Sequence, residues 1–192
     1  SHLAPSREGH GLSTGVGLAI PPGSLSFWIQ RLSHYGVTTA STEHRFGANV
    51  IPLTDPHGLR VALVESEHAK SRALTPWEHS TVPAEKQIRG LESARLRERD
   101  LEPTTSFLTR VLGFELLGTE AGWHRYGVAG GLSGAYIDVQ AAPETRRGAW
   151  GVGSIHHLAW RVDDGAHQLA TRELIETAGR RPTPVIDRFW FK

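Results

Sequence analysis

The chain has 192 residues, 39 % of them hydrophobic and 21 % charged, enough apolar material for a core and too much for disorder as its main state. Lys and Arg number 21 against 20 Asp and Glu, so the basic excess of a nucleic-acid-binding surface is lacking. No stretch reaches the ~20 apolar residues of a membrane helix. With no Cys for disulfides, thiolate ligands or thiol nucleophiles, a cytoplasmic protein that binds neither nucleic acid nor membrane is the default expectation.

Val16-Gly17-Leu18-Ala19-Ile20 reads as a short apolar strand, and Pro21-Pro22-Gly23 punctuates it. Ser24 is placed to cap a helix from Leu25 to Tyr35, with Phe27, Trp28, Ile29 and Leu32 on its apolar side and Gly36 ending it. Three short strands follow, the last being Leu59-Arg60-Val61-Ala62-Leu63-Val64 after the turn Asp55-Pro56-His57-Gly58. Residues 67–89 are polar and without clean periodicity, and read as a linker.

The same order then returns. Leu91–Leu96 is a strand, and Arg99-Asp100-Leu101-Glu102-Pro103 leads into a helix over Thr104–Leu112 that Gly113 closes. Strands are expected near Phe114–Thr119, Trp123–Val128 and Ala135–Val139. A third start follows. Ile155-His156-His157-Leu158-Ala159-Trp160-Arg161-Val162 alternates as a strand, Asp163-Asp164-Gly165 turns the chain, and Ala166–Ala178 is a helix ended by Gly179. Thr183-Pro184-Val185-Ile186-Asp187 opens another strand. The expected organisation is therefore a module over residues 1–66, a linker over 67–89, a second module over 90–149 and the first half of a further module over 150–192. The chain opens Ser1-His2-Leu3, contains no Met and stops inside an expected strand, so a processed chain or a fragment is expected.

A repeated strand–helix–three-strand unit resembles the module of the vicinal oxygen chelate superfamily, which includes glyoxalases, extradiol dioxygenases and antibiotic-sequestering proteins. The segments Ile20-Pro21-Pro22-Gly23-Ser24-Leu25-Ser26-Phe27-Trp28, Pro76-Trp77-Glu78, Ile88-Arg89-Gly90-Leu91, Phe107-Leu108-Thr109-Arg110-Val111-Leu112-Gly113-Phe114, Ile155–Val162 and Thr183–Arg188 resemble hydroquinone-type ring-cleaving dioxygenases in order and spacing. The resemblance implies an α+β fold in which repeated βαβββ modules form curved mixed sheets with helices outside. It also implies four modules, of which this chain matches the second, the third and half of the fourth.

The metal site that the resemblance implies is a facial triad of two His and one carboxylate, a set suited to Fe(II) with open positions for substrate and O2. Mn(II) and Zn(II) are alternatives. Only one of those ligands maps onto this chain. His157 matches it, ahead of the alternating Leu158–Val162. Without the resemblance, a surface or core histidine is the simpler reading. His156 matches the paired neighbour, an acid–base group, although strict alternation sends it to the opposite face.

Glu92 stands where the second module's first strand would carry a ligand, and reads as solvated or paired. Ala62 stands where a ligand Glu would fall, which argues against a metal between these two modules. Asp187-Arg188-Phe189-Trp190-Phe191 is placed by the resemblance along the substrate cavity, with core packing as the plainer role.

The implied activity is ring cleavage of a hydroquinone or catechol-like aromatic with O2. A non-catalytic binder of small aromatic molecules and a glyoxalase-type metal-dependent isomerase are the alternatives. A homodimer is one route to the strands this chain lacks.

Overall fold

In the computed structural model, which describes residues 3–128 and 133–187, the strand–helix–three-strand order occurs twice. The first copy is β1 (Leu12–Ile20), α1 (Leu25–His34), β2 (Glu43–Arg45), β3 (Ala48–Thr54) and β4 (Arg60–Glu65). The second is β5 (Leu91–Glu98), α2 (Leu101–Ser106), β6 (Glu115–Glu120), β7 (Trp123–Gly127) and β8 (Tyr136–Ala141). These strands form one mixed sheet in the order β2-β3-β4-β1-β5-β8-β7-β6. In each copy the first strand lies parallel to the last, β1 to β4 and β5 to β8, and the copies meet at the antiparallel β1–β5 pair. The order is symmetric about that seam. It is the curved α+β sheet of repeated βαβββ units with helices outside that the sequence implies.

Alternation along the strands fixes the two faces. On the helix side, Ile20, Ile51 and Leu63 pack against Trp28 of α1. Leu108, Phe114, Tyr126, Ile137 and Val139 form the matching cluster of the second copy. A smaller cluster of Val50, Ala62 and Val64 lies apart from both. Residues 67–89 are anchored rather than free: Trp28 Nε1 donates to the Lys86 carbonyl at 3.0 Å, and Val82 and Ile88 pack on the first cluster.

Ser24 does occupy the cap position of α1, but its hydroxyl accepts nothing. The Glu65 carboxylate at the end of β4 caps the helix instead, accepting from the Ser24 and Leu25 N–H groups at 3.0 Å each. A carboxylate suits that position because the helix N-terminus carries partial positive charge. The second helix starts earlier than expected. Asp100 accepts from Glu102 N at 3.1 Å, and Pro103 sits inside the first turn, where its missing N–H costs nothing. The helix then relaxes into a π turn over Phe107–Val111. Gly36, Gly113 and Gly179 follow the helical segments with φ of 67°, 71° and 75°, the left-handed ending glycine allows.

The third start differs from expectation. The helix forms as α3 (Gly165–Thr177), capped by Asp164, which accepts from His167 N at 2.8 Å. Ile155–Val162 and Thr183–Asp187 are not strands. A strand exists only through a neighbour's N–H and C=O groups, and neither segment has a ladder partner among the described residues. The Phe189-Trp190-Phe191 run lies outside the described residues.

Candidate functional site

Without a ladder to hold its alternation, the chain around His157 turns both imidazoles toward each other. The Nδ1 atoms of His156 and His157 are 2.9 Å apart, with the rings at 89°. One Nδ1 carries the hydrogen and the other accepts it. Trp150 meets the His156 ring edge-on at 5.1 Å. Together with Leu12, Leu96 and Trp160 these groups line a shallow groove of about 460 Å³ at one end of the β1–β5 seam. Both histidines are exposed. Among the described residues, no group of three or more His, Asp or Glu is placed to hold a metal ion. The pair offers imidazole nitrogens and no carboxylate, so the described residues do not close a facial triad.

A larger hollow occupies the middle of the sheet. It holds about 540 Å³ and is lined by β1, β2, β3, β4, β5, β7 and β8. Register explains its floor. Gly15, Arg95, Asp138 and Arg125 lie side by side across β1, β5, β8 and β7, and so share one face. Gly15 and Gly17 line it without side chains, and a Cβ on Gly17 would lie 2.7 Å from Ser93 Oγ and 3.2 Å from Val64 Cγ2. The Arg125 guanidinium binds Asp138 through two parallel bonds, Nε to Oδ1 at 2.7 Å and Nη2 to Oδ2 at 2.9 Å. Arg45 pairs with Glu43 at 2.6 Å. Glu8 takes both Arg60 and Arg97.

The Arg95 guanidinium lies over the Trp123 ring, its Cζ 3.6 Å from the centroid. Burial, and next to it the like charge of Arg45, lower its pKa to about 10. None of these arginines was singled out from sequence. The available signal was Arg95 and Arg97 alternating with Ala94 and Leu96 on a strand that the repeat places at the middle of a sheet.

The chain is 34 % identical over 172 residues to "Putative ring-cleaving dioxygenase MhqO" of Bacillus subtilis, covering 90 % of this chain and 53 % of that protein. It is 27 % identical over 176 residues to the chlorohydroquinone/hydroquinone 1,2-dioxygenase of Sphingobium indicum, covering 90 % and 54 %. A crystal structure described as a putative dioxygenase from Bacillus subtilis superposes with a TM-score of 0.88 at 33 % identity, over 96 % of this chain and 57 % of that one. The sequence resemblance to ring-cleaving dioxygenases is met by these named relatives, and the fold is that of the vicinal oxygen chelate superfamily. No family model matches it. It spans about half the length of the curated relatives it matches.

Two positions that matter in superfamily terms are now placed. Glu92 is paired, as one of its two readings had it: its carboxylate meets Arg72 at 2.7 Å, with only 5 % and 6 % of the two side chains exposed. Ala62 lies on the wall of the central hollow, where it offers no donor atom.

Proposed function

We propose that this chain is part of a ring-cleaving dioxygenase that inserts O2 into a hydroquinone or catechol-like aromatic. In this reading residues 1–66 and 90–149 are the second and third modules, and 150–192 open the fourth. His157 is one ligand of an Fe(II) centre, with Mn(II) or Zn(II) as alternatives, and the other ligands come from outside the described residues. A cytoplasmic location and a homodimer belong to the same reading.

The observation that carries it is the His156–His157 contact beside Trp150 and Trp160. A histidine that ligates through Nε2 keeps its hydrogen on Nδ1 and donates it to a fixed acceptor. In this reading the Nδ1 atom of His156, 2.9 Å from that of His157, is the acceptor. That arrangement orients the ligand ring and makes His156 a positioning residue as well as a candidate proton shuttle. The exposed indoles supply flat apolar walls for a phenolic ring.

The test is iron content and O2 uptake with hydroquinone. His157→Ala is expected to drop iron from about one per chain to near zero, with ring cleavage lost. Retained stoichiometric iron in that variant overturns the assignment. For His156→Gln, a roughly 10–100-fold loss of iron affinity supports positioning. Unchanged affinity with lost turnover supports proton transfer instead. A second reading, a binder of small molecules, is favoured by the 540 Å³ hollow in the sheet.

A further inference from the structure

The central hollow has a charge surplus that the dioxygenase reading does not use. Five guanidinium groups line it: Arg45, Arg60, Arg95, Arg97 and Arg125. Three carboxylates answer them, Glu43, Asp138 and Glu8, the last shared between Arg60 and Arg97. Both Asp138 oxygens are taken by Arg125. Arg95 is therefore left over. Among the described residues no carboxylate lies within ion-pair distance of it, and its buried Nε has no hydrogen-bond partner. The residue lines the hollow, so a guanidinium there without an ion-pair partner points to a missing anion.

We propose that this hollow is a binding site for a small organic carboxylate, held by the Arg95 guanidinium and resting its apolar body on Val50, Ala62 and Val64. A guanidinium presents parallel N–H groups that match the two oxygens of a carboxylate. Trp123 holds the Arg95 guanidinium by a cation–π contact, so the group is positioned before the ligand arrives. Val50, Ala62 and Val64 line the same hollow and form one buried cluster, which selects an organic acid over a bare inorganic anion. The volume of about 540 Å³ is that of a small-molecule site. Arg95 stays charged at neutral pH, since its pKa lies near 10. The site requires no metal and stands apart from His156 and His157, which line a separate groove.

The experiment is calorimetric titration of the purified protein with benzoate, its neutral isostere benzamide and inorganic phosphate, in low-chloride buffer. Saturable benzoate binding is expected, at least about tenfold tighter than benzamide or phosphate. Arg95→Gln is expected to weaken benzoate at least about tenfold, the scale of one charged hydrogen bond. Arg95→Lys keeps the charge and loses the fork, and falls between. Should Arg95→Gln fail to fold, Ala62→Leu fills the apolar wall and is expected to weaken benzoate by a similar factor. Affinity is expected to be level from pH 7 to 9 and to fall as pH passes about 10.

No saturable benzoate binding, equal binding of benzamide, phosphate binding without benzoate, or benzoate affinity unmoved by every folded variant each overturns the proposal. The readout is binding itself, so its failure leaves the ring-cleavage reading untouched, and the reverse also holds.

Discussion

The sheet and the segment after it are built from similar sequence patterns and end in different environments. Residues 12–141 bury Ile20, Ile51, Ile137 and Val139 almost completely. Residues 150–187 carry Trp150, Trp160, Leu169, Leu174 and Ile186, all between 45 % and 57 % exposed, and α3 has no buried residue. Local signals are intact in both regions. Asp164 caps α3 as Asp100 caps α2, and Gly179 ends α3 as Gly36 ends α1. Capping and periodicity therefore suffice to make a helix, whereas burial requires a partner surface. In the sheet that surface is each copy's own helical segment, Trp28 of α1 over Ile20 and Ile51, and Leu108 over Ile137 and Val139.

The contrast can be broken by substitution. The largest effect belongs to Asp138→Asn, which leaves the Arg125 guanidinium, 11 % exposed, without its bidentate counter-ion. Chemical denaturation should show a loss of about 3–5 kcal/mol. A cost below about 1 kcal/mol would mean that Arg125 finds another partner. Next comes a matched pair. Ile137→Ala in the sheet core should cost about 2–5 kcal/mol, while Leu174→Ala on α3 should stay within about 0.5 kcal/mol. Equal costs would erase the difference between the regions.

The smallest effect is at Glu98. Burial raises its carboxyl pKa in the folded state, so its favourable contribution is complete below the ordinary 4.5 and is lost as pH rises through the raised folded value. Glu98→Gln should therefore melt slightly higher than the parent at pH 7, by less than about 0.5 kcal/mol. The gap should close below pH 4.5. A gap that widens in acid would reverse the sign.

Much of the fold was legible because strands and helices carry different periods. Val16–Ile20, the Trp28 face of α1 and the Gly that ends each helical segment announced the repeat. The start of α2 was hidden by Pro103, which reads as a breaker yet sits where a helix tolerates it. Ile155–Val162 alternates as a strand should, but alternation does not supply a ladder. At the candidate site, the adjacency of His156 and His157 was plain, while their mutual contact contradicts the opposite faces that strand alternation predicts. The arginine-lined hollow was not legible at all. Arg95, Arg125 and Asp138 are distant in sequence, and each alone looks like a solvated charge. Only the register of β5, β7 and β8 brings them into one row.

The seam between β1 and β5 has a mechanical corollary. The two copies are joined covalently through residues 67–89, where Trp77 is 67 % exposed, and again by backbone hydrogen bonds from Leu12 paired with Arg97 to Leu18 paired with Leu91. A protease that nicks the chain near Trp77 severs the first connection and spares the second. The fragments should co-migrate under native conditions and separate only in denaturant, as the halves of a split protein do.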